Sequence, residues 1–239
     1  MIASFISPIS LCFIWNCFYR IFIVVNLVFY VVKTLQEVKV GSPARSQRPC
    51  RYKIRNMKLE VLEEGYYYHI YNKGINGTNV FENKENKLFF LKQFDKYLIN
   101  KVSLLAYCLM DNHFHFLIQL NTNGKDVTQG FSNFLNSYAK AFNKQNNRTG
   151  SLFEKHFKRI KLDNEDYLRN LIIYIHLNPT HHLNVDYKNY TFSSYQAFIS
   201  NKPTKLDREN VLELFFDKEN FEFCHKTKGN LLEDKYLLE

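Results

Sequence analysis

The chain has 239 residues, of which 46% are hydrophobic and 16% aromatic, enough for a buried core and incompatible with intrinsic disorder. Its formal charge of +9 points to an anionic partner, but residues 1–56 hold 8 of the 32 Lys and Arg and only 1 of the 23 Asp and Glu. The remainder carries +2, so bulk charge alone is no argument for nucleic-acid binding. Five scattered cysteines without CxxC spacing indicate neither a disulfide framework nor a zinc site, and they fit a reducing cytoplasm.

Residues 2–32 are strongly apolar, with Arg20 as their one charge, and residues 45–55 are basic. Three readings stand for this N-terminal extension, residues 1–56. It is a membrane segment, it is an untethered linker, or translation begins at Met57 and the extension is a misassigned start. The last is preferred, because a strand pattern opens directly after Met57.

From Gly65, the run Tyr66-Tyr67-Tyr68-His69-Ile70-Tyr71 has the aromatic and β-branched character of a strand, closed by Asn72-Lys73-Gly74. Lys84 to Asn100 carries Leu88, Phe89, Leu91, Phe94, Tyr97 and Leu98 at helical spacing. Val102–Met110 and Phe114–Leu120 read as two strands joined at Asp111-Asn112, which predicts a hairpin. Asp126 to Asn146 is helical, with Val127, Phe131, Phe134, Tyr138 and Phe142 on one stripe. A polar loop leads to a fourth strand expected over Leu152–Ile160. Asp163 is then the expected N-cap of a helix that stops at Asn178-Pro179. Beyond it, Asp207 to Phe216 reads as helical. The order β-α-β-β-α-β-α predicts an α+β fold, a ferredoxin-like antiparallel sheet with helices on one face. The expected domains are residues 57–200 and a helical tail, residues 201–239.

The chemistry-bearing residues begin with His113-Phe114-His115, just past the turn. Side chains at i and i+2 of a strand share a face, so both imidazoles project together and can hold a divalent cation with a third ligand. Two histidines on a solvated strand face are the plainer alternative. On the last long helix, Leu168, Leu171, Ile172 and Ile175 form the apolar stripe, while Tyr167, Asn170, Tyr174 and Asn178 follow one another on a second. A tyrosine hydroxyl can attack phosphorus, and an amide oxygen one turn on can coordinate a metal. Packing for Tyr174 and a helix stop for Asn178 are the bland readings.

Four segments, in order across nearly all of residues 57–200, then resemble a known family. "LMDNHFHFLIQL" resembles "MPNHVHLL", "RTGSLFEKHFKRI" resembles "RTGTLWQGRFKS", "YIHLNPTHHLNV" resembles "YIxxNPVxxGLV", and "YTFSSYQAF" resembles "WPWSSYxAY". These are motifs of the REP-associated tyrosine transposases of the HUH superfamily, single-tyrosine enzymes that cut and rejoin single-stranded DNA. The resemblance implies His113 and His115 as metal ligands, Asn178 as the third, Tyr174 as the nucleophile and Mg2+ or Mn2+ as the ion. It implies hairpin-associated single-stranded DNA as partner and a 5′-phosphotyrosine intermediate, with no nucleotide cofactor. A monomer or homodimer in the cytoplasm is expected. The chain departs from the pattern at Asp111 (usually Pro), His156 (usually Arg), and Leu183-Asn184 (usually Gly-Leu).

Other residues stay as weighed alternatives. Tyr138 is a rival nucleophile, but its periodic partners Phe134 and Phe142 place it in a core. His176, His181 and His182 form a second cluster best read as a solvated helix end. His69 approaches the metal if it faces the His113/His115 side, and is otherwise a satisfied sheet histidine. Lys155, Lys158, Arg159 and Lys161, interleaved with Phe153, His156 and Phe157 and extended by Arg148, form the expected DNA-binding patch, or an ordinary basic strand face. Two rival functions remain at this level: a non-catalytic DNA-binding protein and a membrane-tethered derivative.

Overall fold

The computed structural model describes residues 59–228, and the readings made for residues 1–56 lie outside them. Strand β1 is Tyr67–Lys73, β2 is Val102–Leu109, β3 is His113–Leu120 and β4 is Lys158–Leu162. They form one sheet in the order β2-β3-β1-β4, and every pairing is antiparallel. The helices are α1 (Lys84–Leu98), α2 (Gly124–Gln145), α3 (Glu165–Leu183), α4 (Tyr195–Ile199), α5 (Arg208–Leu214) and α6 (Lys218–Lys228). The expected α+β antiparallel sheet is therefore present, but its helices pack on both faces and not on one, because both faces of the central strands are apolar.

The pleat divides the sheet into two chemically distinct faces. Tyr68, Ile70, Phe114, Phe116 and Ile118 turn toward α1 and α2 and meet Phe90, Phe94, Phe131, Phe134 and Tyr138 in an aromatic core. The alternate residues of the same strands, with Ala106, Cys108 and Leu162, turn the other way. There they meet Leu168, Leu171, Ile172 and Ile175 of α3, so helices cover both faces and α3 lies against the one that carries the histidines. The apolar stripe read from the sequence is the surface by which α3 docks. Val211, Phe215 and Phe221, from α5 to α6, close the same cluster.

Three boundaries differ from the sequence reading. The fourth strand begins at Lys158, because residues before it are pulled away from the ladder: Leu152 and Phe157 are buried in the aromatic core and His156 takes φ 59. Helix α3 is capped by Asn164, not Asp163; the Asn164 carboxamide oxygen accepts from the backbone N–H groups of Asp166 and Tyr167. The same helix runs through Pro179 to Leu183. A proline removes one helical N–H, yet Pro179 is buried and its carbonyl accepts from Asn184, which adopts φ 53 and ψ 35 as the left-handed cap. Asn tolerates that conformation, so the turn closes at Asn184, where the related pattern has Leu, while Leu183 in the place of the pattern's Gly stays helical.

Gly74, after β1, is required by close approach. A Cβ there would lie 1.9 Å from the Thr78 carbonyl oxygen. Its N–H donates to the Asn112 carbonyl at 2.8 Å, which ties the end of β1 to the turn preceding β3.

Candidate functional site

The turn Met110-Asp111-Asn112 launches β3, and several contacts fix it. The Asp111 carboxylate accepts from Lys87 Nζ at 2.8 Å, and Lys87 also donates to the Tyr190 hydroxyl at 3.1 Å. Lys87 is buried, with its ammonium 5.2 Å from the Phe192 ring centroid. Asp111 thus stands where the related motif has proline and compensates a buried charge that proline would leave exposed to a low dielectric. Its carbonyl also accepts from the N–H groups of Val80 and Phe81.

Past this turn, His113 and His115 lie on the same face of β3 as expected, with ring centroids 5.1 Å apart and 6% and 1% of their surfaces exposed. Across the β1–β3 seam stands His69, fully buried on the same face; its Nε2 lies 2.9 Å from His115 Nδ1. The Tyr71 ring stacks on His69 at 4.8 Å and on His115 at 5.8 Å. Burial, then the neighbouring His115, holds the His69 imidazole well below the usual histidine range. His113 Nδ1 lies 2.7 Å from the Asn112 carboxamide oxygen.

Helix α3 completes the constellation. Tyr174 is 4% exposed and meets His115 edge to face at 5.8 Å between centroids. Two turns on, the His182 ring meets His113 at 5.6 Å. Asn178 lies between Tyr174 and His182 on the same helical stripe, which places it opposite the histidine pair. Its Nδ2 donates to the Tyr174 carbonyl at 2.9 Å, while its Oδ1 is buried without a hydrogen-bond partner.

Among the described residues, no group of three or more His, Cys, Asp or Glu side chains is arranged to hold a metal ion. A cation here would rest on two imidazoles and an amide oxygen. That donor set fits: an acceptor-only oxygen left buried gains from a cation, and neutral imidazoles serve as nitrogen ligands. Two imidazole nitrogens beside one oxygen suit Mn2+ better than Mg2+, which prefers oxygen donors.

Tyr138 is elsewhere. It sits in the aromatic core on the opposite face of the sheet, where its hydroxyl donates to the Val80 carbonyl at 2.6 Å and burial pushes its pKa up.

The pleat separates the basic residues. The β4 register sets Lys158 opposite Tyr71, on the histidine face, whereas Arg159 and Lys161 pair with Ile70 and Tyr68 on the other. The Arg159 guanidinium lies 4.5 Å from the Phe157 ring centroid. Lys161 is occupied by Glu63 at 3.1 Å and by the Tyr66 ring, 3.4 Å from its centroid. Lys155 is exposed and, with Lys140, Asn136, Asn143 and His156, lines a cleft of about 560 Å3 between α2 and residues 150–157. Arg148 donates to the Ser151 carbonyl at 3.3 Å beside this cleft.

His176 is not at a solvated helix end. It is fully buried and hydrogen-bonded to His225 Nε2 at 2.8 Å and to Ser194 Oγ at 2.7 Å. The protons along this chain are determined. The Phe221 carbonyl, 2.7 Å from His225 Nδ1, only accepts, so His225 is protonated there and its Nε2 accepts from His176 Nδ1–H. His176 Nε2 then accepts from Ser194, whose oxygen accepts from the Tyr107 N–H at 2.9 Å. His181 and His182 are exposed, as expected of a helix end.

A pH dependence follows. Burial lowers His225 to about 4 from an ordinary 6.5 and pushes His176 in the same direction. The unfolded chain therefore binds protons first as pH falls, so the stability is complete above pH 6.5 and lost progressively toward pH 4. The loss from His225 alone is roughly 3 kcal/mol at pH 4. Urea unfolding across that window should give a falling midpoint, with a flatter dependence in His225→Gln. Equal slopes in the two proteins would exclude His225 as the source.

Residues 63–178 match the family described as "Transposase IS200 like". No curated protein sequence matches the chain. Among solved structures, similarity is found to a REP-associated tyrosine transposase bound to a REP hairpin, with 16% identity, a TM-score of 0.43, and coverage of 68% of this chain and 89% of that one. A bacterial tRNA(His) guanylyltransferase-like protein in complex with ATP gives 11%, 0.36, 67% and 73%. The tRNA(His) guanylyltransferase of Saccharomyces cerevisiae gives 16%, 0.36, 74% and 83%. At these TM-scores none of the three carries an argument about the chemistry of this chain.

Proposed function

We propose, from the premise that this chain belongs to the IS200-like transposase family across residues 63–178, that it cuts and rejoins single-stranded DNA with Tyr174 as nucleophile. One observation carries this reading: α3 sets the Tyr174 ring edge-on against His115, on the same stripe as the buried Asn178 oxygen.

The Tyr174 oxygen attacks the scissile phosphorus, the bond from phosphorus to the 3′ oxygen breaks, and the departing strand takes a proton to become a 3′-hydroxyl. The product is a 5′-phosphotyrosine. A second 3′-hydroxyl attacks that ester, reforms a phosphodiester and returns the proton to the tyrosine. One ester replaces another at each step, so no nucleotide is consumed. A divalent cation held by His113, His115 and Asn178 would supply positive charge to a non-bridging oxygen of the scissile phosphate. The chain itself contributes a fixed nucleophile, since Tyr174 is packed on a helix docked by Leu171, Ile172 and Ile175. Lys158 on the histidine face and Lys155 and Arg148 at the cleft are the cations proposed to meet DNA phosphates. Arg159 and Lys161 extend that role only to strand passing over the opposite face.

The test is incubation of the full chain with a 5′- or 3′-labelled single-stranded hairpin oligonucleotide and Mg2+ or Mn2+. A denaturant-resistant protein–DNA complex carrying the 5′ phosphate is expected, together with a free 3′-hydroxyl product. Cleavage that leaves no protein attached would refute the tyrosine mechanism.

A further inference from the structure

We infer that His69 is the positioning residue for His115, accepting the His115 Nδ1 proton so that Nε2 is the nitrogen turned to the metal. This deepens the reading of the site given above and rests on it.

The argument is one of proton placement. A neutral imidazole has one protonated nitrogen and one lone pair, and a ligand must offer the lone pair to the cation. His115 Nδ1 is committed to His69, 2.9 Å away, so coordination falls to Nε2 and the proton must sit on Nδ1. His69 then has to be the acceptor at Nε2, with its own proton on Nδ1. The other ligand is held the same way. His113 Nδ1 faces the Asn112 carboxamide oxygen at 2.7 Å, an acceptor that fixes the proton on Nδ1. Both histidines of the motif therefore have a partner behind them, and both partners leave Nε2 forward.

Geometry separates His69 from an ordinary buried sheet histidine. It lies on β1 on the same face as His115, two pairing positions from it, because β1 sets Tyr71 opposite His115 and His69 opposite Leu117. The Tyr71 ring packs against both imidazoles, and His69 and His115 stack at 5.1 Å with 19° between planes. His69 is thereby held from rotating away. Outer partners of this kind orient the ligand ring and raise its basicity, and their loss costs on the order of 10- to 100-fold in metal affinity.

The experiment uses the full chain and two readouts that do not depend on DNA cleavage. Long-range 1H–15N correlations of the Mg2+-saturated wild type should give His115 protonated on Nδ1, and a proton on Nε2 would overturn the assignment. Mn2+ titration followed by electron paramagnetic resonance should show binding weakened roughly 10- to 100-fold in His69→Leu. His69→Gln, whose amide oxygen can replace the accepting Nε2, should recover most of it. Unchanged Mn2+ affinity in folded His69→Leu, or no recovery in folded His69→Gln, would overturn the role. If the wild type itself binds neither Mn2+ nor Mg2+, the reading of the site as a metal centre fails together with the role of His69. If it binds them and His69→Leu binds equally well, only the role of His69 fails.

Discussion

Tyr174→Phe should abolish covalent capture of single-stranded DNA, lowering cleavage by at least about 1,000-fold, while the protein remains folded. The substitution removes one oxygen and leaves the ring, so the edge-to-face contact with His115 and the packing of α3 persist. Loss of a single buried hydroxyl costs about 1 kcal/mol, too little to unfold a domain with two apolar clusters. Tyr138→Phe should stay active, because that hydroxyl is spent on the Val80 carbonyl on the opposite face of the sheet. Tyr167→Phe should also stay active, two helical turns away from Tyr174. Mass spectrometry of the nuclease-trimmed adduct locates the modified residue. A nucleotide on Tyr138, or undiminished cleavage by Tyr174→Phe, would remove the tyrosine from the mechanism and leave the histidine cluster standing.

Replacing either motif histidine should be as damaging to cleavage, though the two should differ in stability. His113→Ala or His115→Ala leaves one imidazole and one amide oxygen, too few donors to hold a labile hard cation. Single-turnover cleavage should fall at least about 100-fold in each. His115→Ala additionally strips His69 of its hydrogen-bond partner at a fully buried position, which costs about 1–3 kcal/mol. His113 sits at the strand end beside Asn112 and retains some exposure, so its loss should lower the unfolding midpoint less. Normal cleavage by either variant in EDTA-treated, Mg2+-restored buffer would sink the metal assignment.

Local patterns made much of this legible in the sequence. The i, i+2 rule for His113 and His115 and the helical stripe joining Tyr174 to Asn178 depend only on backbone period, and both hold in the fold. The aromatic stripes of α1 and α2 were readable for the same reason. What escaped depended on distant partners. His176 looked like part of a solvated end because its partner His225 lies 49 residues further on. The face that His69 takes follows from the β1–β3 pairing, which no single strand contains. The continuation of α3 past Pro179 required knowing that Asn184 caps it. The separation of Lys158 from Arg159 and Lys161 could have been found, since alternation along a strand predicts it. Reading those residues as one patch overlooked the pleat.

The strand order has a consequence for how the chain folds. Strands β2 and β3 are joined by three residues and close the shortest loop in the sheet, so their pairing loses the least chain entropy. Strand β1 must find β3 across a separation of 46 residues between His69 and His115, and β4 can add to β1 only after the hairpin and α2 have been spanned. The motif histidines are therefore present on an early hairpin, whereas the partner that orients His115 arrives with a later docking event. A half-folded chain would display the two imidazoles without the order that α3 and β1 impose on them, so the proposed strand cutting would have to wait for the last stages of folding.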